Sequence, residues 1–298
     1  RAMAESAKAR GARIRTGAAI ARLLTKDGAA IGVVLDTGEE ITARAVAANV
    51  PPKLLFRDLV TEEAVASELR DRFTRITSGS GSFRMNVALS ELPDFICRPG
   101  KEQQDHHGAG IIFGPTLEYL DRAYLDARLE GWSREPVIEM LIPSTLDDTL
   151  APKGRHVASL FVQHVAPHLP GSRTWEDPQE AERFADLVIE TVNRHAANFK
   201  AAVIGRQVLS PHDLERRFGM IDGDIFHGAL SLNQLFSARP QLGFADYRMP
   251  VDRLYLCGSG AHPGGGVTGA PGHNAAREII RDLKGWPRLG RRGPAKAR

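Results

Sequence analysis

The stretch from Leu254 to Arg277 constrains this chain more than any other: Leu-Tyr-Leu-Cys-Gly-Ser-Gly-Ala-His-Pro-Gly-Gly-Gly-Val-Thr-Gly-Ala-Pro-Gly-His-Asn-Ala-Ala-Arg. The apolar run at 253–257 predicts a short strand, residues 258–272 a loop almost without side chains, and residues 273–284 a closing helix. Such a loop lets backbone N–H groups come close to a flat or anionic ligand. The following helix aims the positive end of its dipole at that ligand. Familiar signatures are excluded in turn. Gly264-Gly-Gly-Val-Thr-Gly269 spells GxGxxG, but its first glycine falls well past the strand, with Pro263 between, so the tight first turn of a dinucleotide-binding unit is absent. Too little sequence follows for a second strand and a ribose-binding acid. No Gly-Lys-Ser/Thr follows to make a P-loop. Cys257-Gly-Ser-Gly260 lacks the leading glycine of a nucleophile elbow.

The remaining composition is that of an ordinary globular chain of 298 residues, with 42% hydrophobic and 25% charged. That length allows one large domain or two modest ones. Cys97 and Cys257 form no CxxC and no disulfide framework, so a reducing, cytoplasmic setting is expected. No apolar run reaches the roughly 20 residues of a membrane-spanning helix, and the first residues lack the core of a signal peptide. A peripheral membrane contact through apolar helices stays open. Much of the net charge of +3 comes from the tail at 290–298, which reads as a solvated end. Without interleaved aromatics or a basic stripe, nucleic-acid binding is not expected.

Along the chain, residues 2–10 predict a helix capped at Gly11. Extended runs follow at 12–15, 18–25, 30–35 and 40–47, separated by Lys26-Asp-Gly28 and Asp36-Thr-Gly38, whose glycines supply the positive φ of hairpin turns. This β-meander ends at Ala48-Asn-Val-Pro-Pro52, where the prolines stop pairing and start a helix at 53–59. An amphipathic helix is expected at 61–75, and 78–82 is a joint. Beyond it, strands are expected at 82–89, 110–113, 137–142, 156–165 and 201–209, with helices at 116–129 and 178–199. Residues 80–210 therefore read as a second domain of antiparallel sheet plus helices. Residues 218–250 are loop-rich.

The 254–277 segment resembles that of the phytoene desaturase-like flavoproteins, in particular the group of pyridine nucleotide-disulfide oxidoreductase domain-containing proteins. Asp246-Tyr-Arg-Met-Pro-Val251, Asp224-Ile-Phe-His-Gly228 and the end of the meander, Ala47-Ala-Asn-Val-Pro51, add to the resemblance. It implies a mixed α/β (α+β) fold: a partial FAD/NAD(P)-binding Rossmann-like domain with a β-meander (1–79 and 211–298), interrupted by an antiparallel-sheet-plus-helix substrate domain (80–210). It also implies FAD as cofactor, with Gly258, Ser259 and Gly260 against its ribityl–pyrophosphate part. Gly264, Gly265, Gly266, Val267, Thr268 and Gly269 would line the isoalloxazine edge, flanked by His262 and Pro263. The helix starting near Pro271 would point at the flavin N1–C2=O locus, where negative charge develops on reduction. The implied reaction is desaturase- or dehydrogenase-like: a hydride passes from a hydrophobic or amine-bearing small molecule to the flavin. The family's N-terminal βαβ unit has no counterpart in this sequence, so it would be a missing partner, and residues 1–298 alone are expected to bind FAD weakly or not at all.

His262 and His227 are the candidates for a catalytic or site role, although a lone histidine is more often a structural hydrogen-bonder. Asn274 is expected to contribute to the hydrogen bonding of the loop. His106, His107, His156, His164 and His168 lack ligand spacing, and Pro167 keeps His164 and His168 off one helical face, so no metal is expected. Cys257 reads as a small core residue, and Asp222 and Asp224 as turn formers. The alternative from another class is a non-catalytic fragment or interaction module with an incomplete flavin site.

Overall fold

The computed structural model describes residues 2–79 and 81–285; the basic tail at 290–298 lies outside the described residues. Two compact units divide at 76/77 and 234/235. In chain order the elements are α1 (Ala2–Lys8), β1 (Ile20–Lys26), β2 (Ala29–Leu35), β3 (Glu40–Thr42), β4 (Val46–Ala48), α2 (Pro52–Leu54) and α3 (Ser67–Thr74). The second unit follows with β5 (Phe83–Leu89), β6 (Ile111–Phe113), α4 (Leu117–Glu130), β7 (Trp132–Leu141), β8 (His156–Val165), α5 (Pro178–Asn193), α6 (Phe199–Ala202), β9 (Val203–Leu209) and α7 (Pro211–Phe218). The chain then returns to the first unit with β10 (Leu254–Leu256) and α8 (Ala270–Leu283).

In the first unit, β1, β2 and β3 form an antiparallel meander. Asp27 and Gly28 turn the first hairpin at φ 50° and 77°, the pair of positive values that matches the twist of tightly joined strands. The run at 12–15 is not a strand; those residues are exposed and meet no partner ladder. The run at 40–47 divides in two. Residues 40–42 pair with β2, whereas 46–48 leave the meander and pair in parallel with β10. The helix expected at 53–59 is α2 running into a π-helical turn, Leu55–Leu59, which buries Leu55 and Phe56. The helix expected at 61–75 shortens to α3, because Val65 is extended (φ −145°, ψ 138°) and buried. Phe73 stacks on Phe56 at 4.1 Å and meets Phe244 edge-on at 5.3 Å, within a core that includes Leu23, Leu254, Leu256 and Ala275.

The second unit is a five-stranded antiparallel sheet in the order β6-β7-β8-β5-β9. Strict alternation buries Phe83, Met85, Val87 and Leu89 of β5 in one core with Phe184, Ala185, Val188 and Val192 of α5. β7 starts at Trp132, five residues before the expected strand, because a register shift before Val137 accommodates Pro136. The helix expected at 178–199 stops at Asn193. Asn198 breaks the continuation: its side chain accepts from the Asp94 N–H (2.8 Å) and donates to the Leu92 carbonyl (2.9 Å). Residues 211–234, expected with the first unit, belong to the second. The Gln234 side chain accepts the Thr77 N–H and donates to its carbonyl, both at 2.8 Å, and the Ala229 N–H donates to the same carbonyl. No helix among the described residues is long and apolar enough to cross a membrane.

Two outcomes test this core. Phe184 is fully buried and touches Phe83 at 4.8 Å and Trp132 at 5.1 Å, so Phe184→Ala lowers unfolding free energy by about 3–5 kcal/mol in denaturant titration. Burial lowers the pKa values of His106, His156 and His164, all in this unit. Their neutral forms are favoured in the folded state, so the stability they contribute is complete above the unfolded value of about 6.5 and is lost as pH falls below it. Melting temperature measured from pH 7.5 to 5 therefore declines, with the loss beginning near 6.5.

Candidate functional site

The parallel pair β4–β10 sets the site. Leu254, Tyr255 and Leu256 register with Val46, Ala47 and Ala48, and all of β10 is buried. The Cys257 N–H donates to the Ala48 carbonyl at 2.9 Å, which closes the ladder. Both strands thus end side by side, and Asn49 comes against Gly258. A Cβ at position 258 would collide with the Asn49 Oδ1, so a larger residue there would have to displace the Asn49 side chain, although the φ of Gly258 is ordinary. Cys257 donates its thiol to the Ala48 carbonyl (3.4 Å), and burial raises its pKa, which leaves a protonated core residue rather than a nucleophile.

The loop leaves this point in a defined path. Ala261 N–H closes a turn onto the Gly258 carbonyl. Arg239, 2% exposed, donates through Nε (3.2 Å) and Nη2 (2.7 Å) to the Ser259 carbonyl. A Cβ at Gly264 would sit 3.4 Å from the Arg239 Nε, so this guanidinium supports the loop at two places. Nothing in the sequence around Arg239 announces that role, because its contacts are made 20 residues away. From Gly264 the loop carries positive φ at Gly264 (108°), Gly266 (113°), Val267 (57°) and Gly269 (72°). The Val267 side chain is fully exposed. The GxGxxG match starts eight positions beyond Leu256, well clear of the strand end. α8 begins at Ala270, three residues earlier than expected; no side chain caps it at Gly269, and Pro271 in its first turn has no N–H to donate. The Thr268 hydroxyl accepts the Ala270 N–H at 3.2 Å.

The expected site residues fall into three groups. Gly258, Ser259, Gly260, His262, Pro263, Gly264, Gly265, Gly266, Val267, Thr268 and Gly269 share this one loop. His262 is half-buried, and its Nδ1 has no hydrogen-bond partner among the described residues. Asn274 lies apart: its amide donates to the Tyr247 hydroxyl at 2.9 Å and so ties α8 to residues 246–249 rather than to the loop. His227 belongs to the other unit. It sits at φ 59° in a turn built on Asp224, a fully buried carboxylate that accepts N–H groups of Phe226 (2.9 Å) and Gly228 (3.2 Å). Asp222 faces elsewhere, toward Ser78 and His168 (3.1 Å), so the two aspartates form no pair. His107 is locked by the Gln104 N–H and the Pro93 carbonyl, and no cluster of three potential metal ligands occurs among the described residues.

Behind the loop, Arg248 clasps α8. Its Nε and Nη2 reach both oxygens of Asp282 (2.7 and 2.9 Å), Nη2 also reaches Glu278 (2.7 Å), and Nη1 reaches Asp246 (3.1 Å). Hydrogen bonding to Asp282 leads the effects that push the Arg248 pKa further up. Tyr255 of β10 donates its hydroxyl to the same Asp282 at 2.7 Å. Strand and helix at either end of the loop are therefore joined through one carboxylate.

No family model matches the chain. It is 44% identical over 289 residues to pyridine nucleotide-disulfide oxidoreductase domain-containing protein 2 of Rattus norvegicus, covering 95% of this chain and 49% of that protein. The similarity runs along nearly the whole of this chain and one half of that protein. The chain spans about half the length of the curated relatives it matches. One of them is a lycopene-forming phytoene desaturase of Paracoccus, 26% identical over 278 residues, or 92% of this chain and 51% of the desaturase. The fold matches that of an oxidoreductase from Methanosarcina mazei with a TM-score of 0.58 at 16% identity, over 95% of this chain and 52% of the other. Within this unit the Arg248 clasp fixes both ends of the loop. Arg248→Met strands two partly buried carboxylates and lowers unfolding free energy by about 2–4 kcal/mol, somewhat less than full burial would give. Hydrogen exchange in α8 and β10 rises with it, whereas that of β5–β9 stays unchanged.

Proposed function

We propose that the chain supplies the isoalloxazine-facing part of an FAD-dependent oxidoreductase that takes a hydride from a small, mainly hydrophobic substrate. The supporting observation is the loop between β10 and α8: side-chain-poor from Gly264 to Gly269, supported from beneath by Arg239, and followed by a helix without a side-chain cap. These residues fit a flat ring with an acceptor edge. Gly264–Gly266 allow backbone to approach the ring face, and α8 would turn the positive end of its dipole toward an electron-rich edge. Gly258, which lies against Asn49, would hold the ribityl–phosphate part together with Ser259 and Gly260. When bound, FAD supplies the hydride-accepting ring, so the protein needs to position and desolvate rather than to shuttle many protons. His262, whose buried Nδ1 has no hydrogen-bond partner among the described residues, would be the loop's titratable group nearest that ring. The unit at 77–234 would carry the substrate. Cys97 and Cys257 are both free thiols, in keeping with a reducing, cytoplasmic setting.

The test is an FAD titration followed by flavin fluorescence. Gly266→Val adds a β-branched side chain at φ 113° in the open part of the loop and raises the Kd at least about tenfold, with far-UV dichroism unchanged. An unchanged Kd would remove the loop from the flavin site.

A further inference from the structure

The sheet of the second unit has two unlike faces. One is sealed in the core with α5. The other carries Ile112 of β6, Glu139 and Leu141 of β7, Val157, Ser159 and Phe161 of β8, Arg84, Asn86 and Ala88 of β5, and Gln207 of β9, as the strand registers require. A solvated sheet face ordinarily reads polar. Here Ile112 and Leu141 stand 67% and 54% exposed, and Phe161, Val157 and Ala88 are half-buried. The face is mixed: Ile112, Leu141, Val157 and Phe161 give β6–β8 apolar surface, Glu139 and Gln163 interrupt it, and amides lie on β5 and β9.

Arg84 stands at the border between them. Among the described residues its guanidinium meets the Ser159 hydroxyl (Nη2, 3.1 Å) and the Phe161 ring (5.4 Å to the centroid), neither of which carries negative charge. The carboxylate on this face, Glu139, lies two strands away and is engaged by the Gln163 amide. The amides of Asn86 and Gln207, bonded to each other at 3.3 Å, lie one step along the strands from Arg84. A half-buried arginine presents a planar fork that matches a carboxylate with two parallel hydrogen bonds. From Arg84 on β5 the register runs through Phe161 and Glu139 to Ile112 on β6, three strand spacings or roughly 14 Å at about 4.8 Å each, with Leu141 beside Glu139 on β7.

We infer that this face binds the substrate and that the substrate is an apolar molecule ending in a carboxylate: the acid group pairs with Arg84, and the body lies over Phe161 toward Ile112 and Leu141. Arg84 is thus a specificity-determining residue. The inference rests on the reading of the chain as part of a flavin-dependent oxidoreductase, but its binding test needs no flavin.

The experiment is isothermal titration of the full chain with decanoate, decanol and decylamine, each with and without FAD. Decanoate binds at least tenfold more tightly than either of the others. Arg84→Met brings decanoate within about twofold of decanol and leaves decanol affinity unchanged; Arg84→Lys, which keeps the charge, retains the preference. Equal binding of the three ligands, tighter binding of decylamine, or an undiminished decanoate preference in a folded Arg84→Met protein would overturn the inference. A carboxylate preference that persists while Gly266→Val leaves the FAD Kd unchanged would sustain this face and refute the flavin reading instead.

Discussion

A single guanidinium, Arg248, gathers three carboxylates, two of them on α8 and one on its own segment. Removing charges from water is costly, and this arrangement offsets the cost because the fork meets Asp282 through two of its nitrogens, while Tyr255 also bonds Asp282 and Arg281 also bonds Glu278. The consequence is geometric. β10 and α8 are held at fixed separation, so the thirteen-residue passage between them, 257–269, has anchored ends although its interior is glycine-rich. Glycine alone would make that passage entropically costly to order. Gly258 against Asn49 and Arg239 under Ser259 and Gly264 limit the freedom further.

The two units use different means to the same end. The first has a small parallel pair and a three-stranded meander over an apolar core, and adds polar clasps to it. The second has a broad antiparallel sheet whose core is aromatic and aliphatic: Phe83 and Trp132 each meet both Trp175 and Phe184, with ring centroids 4.8 to 6.0 Å apart. A rigid sheet of this kind suits a binding face, since side chains on strands are spaced by the pleat and not by loop conformation.

Much of this was legible in the sequence where the signal is local. Asp27-Gly28 and the alternation of β5 are short-range patterns, and they predict the hairpin and a half-buried strand. The strand–loop–helix at 254–277 is equally local. Other features depend on partners far along the chain. The run at 40–47 is uniformly β-prone, but whether Val46 pairs with Arg253 or continues the meander is decided more than 200 residues away. Arg239 resembles any surface arginine in sequence, and only the folded chain buries it under Ser259. Asn274 sits where a loop-facing role is plausible by position, yet Tyr247 takes its amide because residues 246–249 run beside α8. The placement of 211–234 follows from a Gln234–Thr77 pairing that has no sequence signature.

The central claim is that residues 257–272 form the part of the chain that meets the flavin ring. Hydrogen–deuterium exchange followed with and without saturating FAD tests it directly. The account predicts protection concentrated in peptides covering 257–272 and the first turn of α8, with the meander at 20–42 unaffected. Protection confined to other segments, or none in 257–272 under conditions where FAD is bound, would contradict it.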